Sequence, residues 1–98
     1  MNKNNQRILY IIGSNKYYSY KIGTTNDLNK RLRTISTLIP FEISVIDYIK
    51  GNTDYINKLE NKLHHKYVDC QADARNEWFV FDRRTIKEIN SYLLNIKN

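Results

Sequence analysis

Two runs of β-branched and aromatic residues, Arg7–Gly13 (RILYIIG) and Tyr17–Gly23 (YYSYKIG), lie three residues apart across Ser14-Asn15-Lys16. Such runs favour extended backbone, and so short a connection folds the second run back on the first as a β-hairpin. With Gly13 to Lys16 as an even-numbered loop, even residues of the first strand share a face with odd residues of the second, because side chains alternate along each strand. Tyr10, Ser19 and Lys21 then stand on one face.

Beyond the hairpin the chain alternates between helical and extended patterns. Thr24, Thr25 and Asn26 can each cap a helix, Asp27 suits a first turn, and Leu28, Leu32 and Ile35 make one stripe, which predicts a helix over 26–37. Lys30 and Arg33 point away from that stripe, while Arg31 falls at the edge of the core. Pro40 breaks the chain, and Glu42–Ile49 (EISVIDYI) is apolar on both phases, as in an inner strand covered on two sides. Gly51 and Asn52 predict a turn, and Thr53 a cap for a second helix with the stripe Ile56, Leu59, Leu63 and Tyr67. Glu60 falls nearly within this stripe, His64 one turn further on the same side, and His65 almost opposite. A polar loop over 69–76, a short strand Trp78–Phe81 and a last helix from Arg84 to Ile96 complete the pattern, with Thr85 and Glu88 spaced as a capping box. The expected fold is α/β (α+β): one domain over 1–98, core about 7–96, with a three-stranded antiparallel sheet flanked by helices.

At 98 residues the chain has room for one core, and eight tyrosines supply large units for it. Its 16 basic and 10 acidic side chains leave a net charge of +6. Residues 1–50 hold eight basic and three acidic groups against eight and seven in 51–98, so an anionic partner is expected on the first half. A lone Cys70 forms no internal disulfide, which points to a reducing, intracellular setting. The apolar run Ile8–Ile12 stops at Gly13, and no stretch approaches the roughly 20 apolar residues of a membrane span. A soluble protein is expected. A zinc site from His64, His65 and Cys70 lacks a fourth ligand and paired cysteines.

Tyr10 in Ile8-Leu9-Tyr10, then Lys21-Ile22-Gly23, then Arg31 eight residues after that glycine, then Glu60 on a helix, resemble the GIY-YIG nuclease superfamily over residues 8–81. The chain is similar in particular to the phage- and virus-encoded T-five open-reading-frame type. Lys21–Thr25 (KIGTT), Glu60–Tyr67 (ENKLHHKY) and Glu77-Trp78-Phe79 match its three ordered segments. The glycine of the first motif and the tyrosine of the second are missing, and Asn76 stands where a glycine usually precedes Glu-Trp-Phe.

The resemblance implies a DNA endonuclease in which Glu60 holds Mg²⁺ or Mn²⁺, Arg31 braces the scissile phosphate, and Tyr10 orients or deprotonates the attacking water. An unperturbed phenol is a poor base at neutral pH, and Lys21 on the same face could supply the charge that improves it. His64 is the candidate general acid or phosphate contact. Lys16, Lys30 and Arg33 are the expected nonspecific phosphate contacts. No recognition helix, zinc finger or basic arm is visible, so limited sequence specificity is expected unless a protein partner supplies it.

Each residue also has a plain structural reading. Glu60 and Arg31 could pair with one another, Tyr10 could simply pack, Lys21 could be a solvated strand lysine, and His64 could cap or pack. Glu77-Trp78-Phe79 reads chiefly as a core closure. Two further functions therefore stay open: a basic nucleic-acid-binding module that keeps the fold without turnover, and a protein-interaction domain using the tyrosine-rich hairpin.

Overall fold

The computed structural model describes residues 6–72 and 78–98. The hairpin forms as its residue types require, with β1 at Gln6–Ser14 and β2 at Ser19–Thr25. Its register sets Tyr10 opposite Gly23, Ile12 opposite Lys21 and Ser14 opposite Ser19, so Tyr10, Ser19 and Lys21 do share a face. The loop has four residues, shifted two positions beyond the expected Gly13–Lys16. It ends on Tyr18 with φ 55°, a left-handed conformation that a bulky residue seldom adopts. Two bonds hold it there: Phe81 N–H donates to the Tyr18 carbonyl at 3.2 Å, and Tyr17 N–H to Ser14 Oγ at 3.3 Å.

Gly13 makes this hairpin possible. A Cβ at that position would lie 2.2 Å from the Ser19 carbonyl oxygen and 2.8 Å from Tyr20 Cα, so only glycine lets the two backbones approach while the Tyr20 ring fills the space alongside.

Helix α1 spans Leu28–Ser36, and Asp27 is its N-cap rather than a first-turn residue, its carboxylate accepting from Lys30 N–H at 3.0 Å. Strand β3 is Ser44–Asn52, so Gly51 and Asn52 close the strand rather than forming a turn. Asn52, not Thr53, caps α2 (Thr53–Lys66) by accepting from Tyr55 N–H at 2.9 Å. After a 3-10 turn at Val68–Cys70, strand β4 is Trp78–Val80 and α3 is Arg83–Lys97. Asp82 caps α3 through Thr85 N–H at 2.8 Å, and this bond holds its carboxyl below the usual range. Glu88 therefore takes no part in a capping box and instead accepts from the Tyr67 hydroxyl at 2.7 Å.

The sheet has four strands in the order β3-β1-β2-β4, all neighbours antiparallel, rather than three. Trp78–Val80 pairs with Ser19–Lys21, so the short final strand joins the sheet as an edge. The inner strands are β1 and β2, and β3 is the other edge. Its apolar residues on both phases report cover on two faces, not a central place. A register shift opposite Ile11 and Ile12 leaves Ile46 unpaired, so that Ile46 packs on one side and Val45 on the other.

Those two sides are separate cores. Leu9, Ile11, Tyr20 and Ile22 pack against Ile56, Leu59 and Leu63 of α2 and Ile86, Ile89 and Leu93 of α3. On the opposite face Tyr10 and Ile12 meet Leu28, Leu32 and Ile35 of α1, with Trp78 beside them. Phe79 and Phe81 stack at 5.3 Å in the larger core, and Tyr20 and Tyr67 add rings at 5.8 and 5.3 Å from Phe81, arrangements worth about 1 kcal/mol each beyond area burial.

Burial raises the Tyr67 hydroxyl well above its ordinary value of 10, and the bond to Glu88 raises it further; burial also raises Tyr20. A hydroxyl whose folded pKa exceeds its unfolded one stabilises the fold fully below the unfolded value, and that stability is lost as pH rises toward the folded one. Urea midpoints are therefore expected to fall once pH exceeds 10, and to fall less steeply in Tyr67→Phe. Equal slopes in the two proteins would remove Tyr67 as the cause.

Candidate nucleic-acid interface

The end of the sheet where β1 begins and β2 stops gathers cationic side chains on one surface. Arg7 of β1, Lys30 and Arg31 of α1, and Thr25, Asn26, Asp27 and Thr34 line an open groove of about 520 Å³. The local cause is the Asp27 cap, which starts α1 immediately after β2. Residues 30, 31 and 34 then lie on the first two turns, beside the strand ends. Arg31 is exposed, further out than the core edge its spacing predicts.

Arg7 is the residue that sequence reasoning passed over. Its Nε donates to Thr24 Oγ1 and its Nη1 to Asn26 Oδ1, each at 3.0 Å. Both acceptors are neutral, so the guanidinium is oriented without its charge being cancelled. The one acidic group lining the groove, Asp27, is engaged by the helix N-terminus through Lys30 N–H. The only signal for Arg7 in the sequence is its place opposite Asn26 once the hairpin register is extended by one pair, a position that carries no chemistry until the loop after β2 is built.

The carboxylate and imidazole come from α2, whose apolar stripe packs on the opposite face of the sheet from α1. Glu60 sits half-buried on α2, and His64, one turn on, reaches the Ile22 carbonyl with Nε2 at 2.8 Å. Because a carbonyl only accepts, that nitrogen carries a proton and donates. The ring also meets Phe79 edge-on at 5.1 Å. Among the described residues β4 pairs with β2 only as far as Lys21, and the His64 bond meets the β2 edge just beyond it, at Ile22. The Glu60–His64 flank of α2 is anchored to this edge from one face, while Lys21 lies on the other.

The remaining candidates are spread more widely. Tyr10 is 1% exposed within the α1-side core, and Lys21 is half-buried on the same face. Arg33 is exposed on the last turn of α1, outside the groove. Lys16 is at the hairpin tip, its ammonium 5.3 Å from the Tyr17 ring centre, and the strand length from Arg7 to Ser14 places it roughly 20 Å from the groove. Glu77 lies outside the described residues. His65 is exposed, and no group of three or more His, Cys, Asp or Glu side chains gathers as a metal cage among the described residues. In the same residues no helix is long and apolar enough to cross a membrane.

The arrangement can hold a polyanion on the groove side and present one carboxylate near the neighbouring strand edge. No curated protein and no solved structure matches the chain. The T5orf172 domain family model matches residues 7–93, nearly the whole of the fold just described, and the chain belongs to that family, which is associated with endonuclease-like domains.

Proposed function

We propose that this domain is a metal-dependent DNA endonuclease of GIY-YIG-like type. The observation that carries the reading is the convergence of Arg7, Lys30 and Arg31 on one groove whose lining carboxylate, Asp27, is already committed to a helix cap. Three cations held there suit consecutive phosphates of a nucleic-acid strand.

In this proposal Arg31 braces the scissile phosphate, its planar guanidinium matching two phosphoryl oxygens, while Arg7 and Lys30 hold the phosphates on either side. Glu60 is the metal ligand. One hard carboxylate, with no cage around it among the described residues, fits Mg²⁺ or Mn²⁺, which keep several waters and complete their shell with substrate oxygens. When bound, such an ion stabilises the crowded phosphorane charge and assists departure of the leaving oxygen. His64, committed through Nε2 to Ile22, serves to position the Glu60 flank of α2 against β2. Tyr10 and Lys21 share the face on which water would be oriented, but the burial of Tyr10 puts the weight of the proposal on Arg31 and Glu60.

That burial also favours a second reading, a basic module that binds nucleic acid without cutting it. One experiment separates the two. Purified protein and Glu60→Ala, both checked for fold by circular dichroism, are incubated with supercoiled plasmid in Mg²⁺, Mn²⁺ or chelator. Nicking that needs the metal and disappears in Glu60→Ala is expected. Metal-independent, salt-sensitive binding with no nicking would establish the binding module instead.

A further inference from the structure

The cationic groove does not end at α1. A second groove, about 480 Å³, shares Asn26 and Asp27 with it and runs past Leu28 and Val45 to Tyr48 and Lys50 on β3. A third, about 570 Å³, shares Tyr48 and Lys50 in turn and is completed by Ile49, Tyr55, Ile96 and Lys97. The three form one track from Arg31 around the strand ends to the open edge of β3, lined in order by Arg31, Arg7, Lys50 and Lys97.

The far end of this track differs chemically from its start. Tyr48 and Tyr55 are each 43% exposed, both line the 570 Å³ groove, and they make no ring contact with one another. Lys97 Nζ lies 5.6 Å from the centre of Tyr48 and pairs with Asp47 at 2.8 Å, while Tyr55 lies over Gly51, where an added Cβ would come within 3.3 Å of its ring. Asp47 is thus neutralised by Lys97, and Lys50 has no ion pair among the described residues. Two half-exposed aromatic rings beside such a lysine are what an unpaired nucleotide recognises, with stacking for the base and charge for its phosphate. Bases within a duplex are stacked on one another and cannot use such rings.

We propose that Tyr48, Tyr55 and Lys50 form a subsite for unpaired nucleotides, so that the preferred ligand is a single-stranded segment continuing from the duplex or strand held at Arg31. The subsite extends the nucleic-acid reading above and depends on it, but it does not depend on cutting.

The test is binding in chelator, with fluorescence anisotropy of an oligothymidylate of about 20 nucleotides and of a duplex of about 20 base pairs. Tyr48→Ala and Tyr55→Ala are each expected to weaken the single strand about tenfold and the duplex by less than about twofold. Tyr48→Phe and Tyr55→Phe, which keep the rings, should bind as the wild type does. An oligonucleotide carrying 2-aminopurine should be quenched by the wild type and not by the double alanine variant. Single-strand binding unchanged in both alanine variants, with duplex binding intact, overturns the subsite and leaves the endonuclease reading standing. Failure of the wild type to bind either probe at low salt overturns both. A dimer in sedimentation that Tyr48→Ala dissociates, with oligonucleotide affinity unchanged, would reassign the edge to a second copy of the chain.

Discussion

Arg31→Ala is expected to nick supercoiled plasmid about 10²–10³-fold more slowly than the wild type while melting at the same temperature. The size reflects the removal of one cation from beside a developing phosphorane. The unchanged melting reflects the position of Arg31, exposed on α1, with no side-chain bond among the described residues that the fold needs. Arg31→Lys keeps the charge but cannot offer two parallel N–H groups, so its rate should fall between the two. Arg7→Ala provides the contrast: its bonds to Thr24 and Asn26 tie the start of β1 to the end of β2, so it should lose stability as well as affinity. Rates within about twofold of wild type for a folded Arg31→Ala protein would remove this residue from the chemistry.

Gly13→Ala should be strongly destabilising, far more so than the same change at Gly51. The added carbon would meet the Ser19 carbonyl and Tyr20 Cα, and neither backbone atom can swing aside as a flexible side chain would. The cost is expected to reach about 3 kcal/mol or more, the upper end for overpacking. For a domain of this size that corresponds to a melting temperature lower by roughly 10–25 °C. Calorimetry of the variant checks this directly, and a loss below about 1 kcal/mol would mean that the β1–β2 pair can separate at its loop end without harm.

The elements that the sequence makes legible are those whose signal is local. Leu28, Leu32 and Ile35 announce α1, and Ile56, Leu59 and Leu63 announce α2, because a helix stripe depends only on spacing within one segment. Caps are harder, since Asp27, Asn52 and Asp82 compete with neighbours of equal capping ability, and the winner depends on where the preceding strand releases the chain. The place of β3 in the sheet is not a local property. An apolar run on both phases says that two faces are covered, and here α1 covers one and α2 with α3 the other, whether the strand is inner or edge.

The same limit applies to the site. Arg31 and Lys30 can be read from their helix, and the motifs around Lys21 and Glu60 lead to the family. Arg7 becomes significant only when the β2–α1 junction brings Thr24 and Asn26 beneath it. Tyr48 and Tyr55 gain meaning only because β3 is an edge and Gly51 leaves room for a ring. Conversely, Lys16 is basic and outward as expected, yet the length of the hairpin carries it away from the groove.

The strand order has a kinetic consequence. The inner pair, β1 and β2, is joined by four residues, and the sheet then grows outward with β3 adding to β1 and β4 to β2. The central strand pair therefore closes the shortest loop, while the long closure brings in β4 together with the Phe79 and Phe81 rings that complete the larger core. A nucleus formed by the hairpin would place high φ-values at Ile11, Ile22 and Tyr20 and low ones at Phe79, so that changes on the β4 side would act chiefly by hastening unfolding.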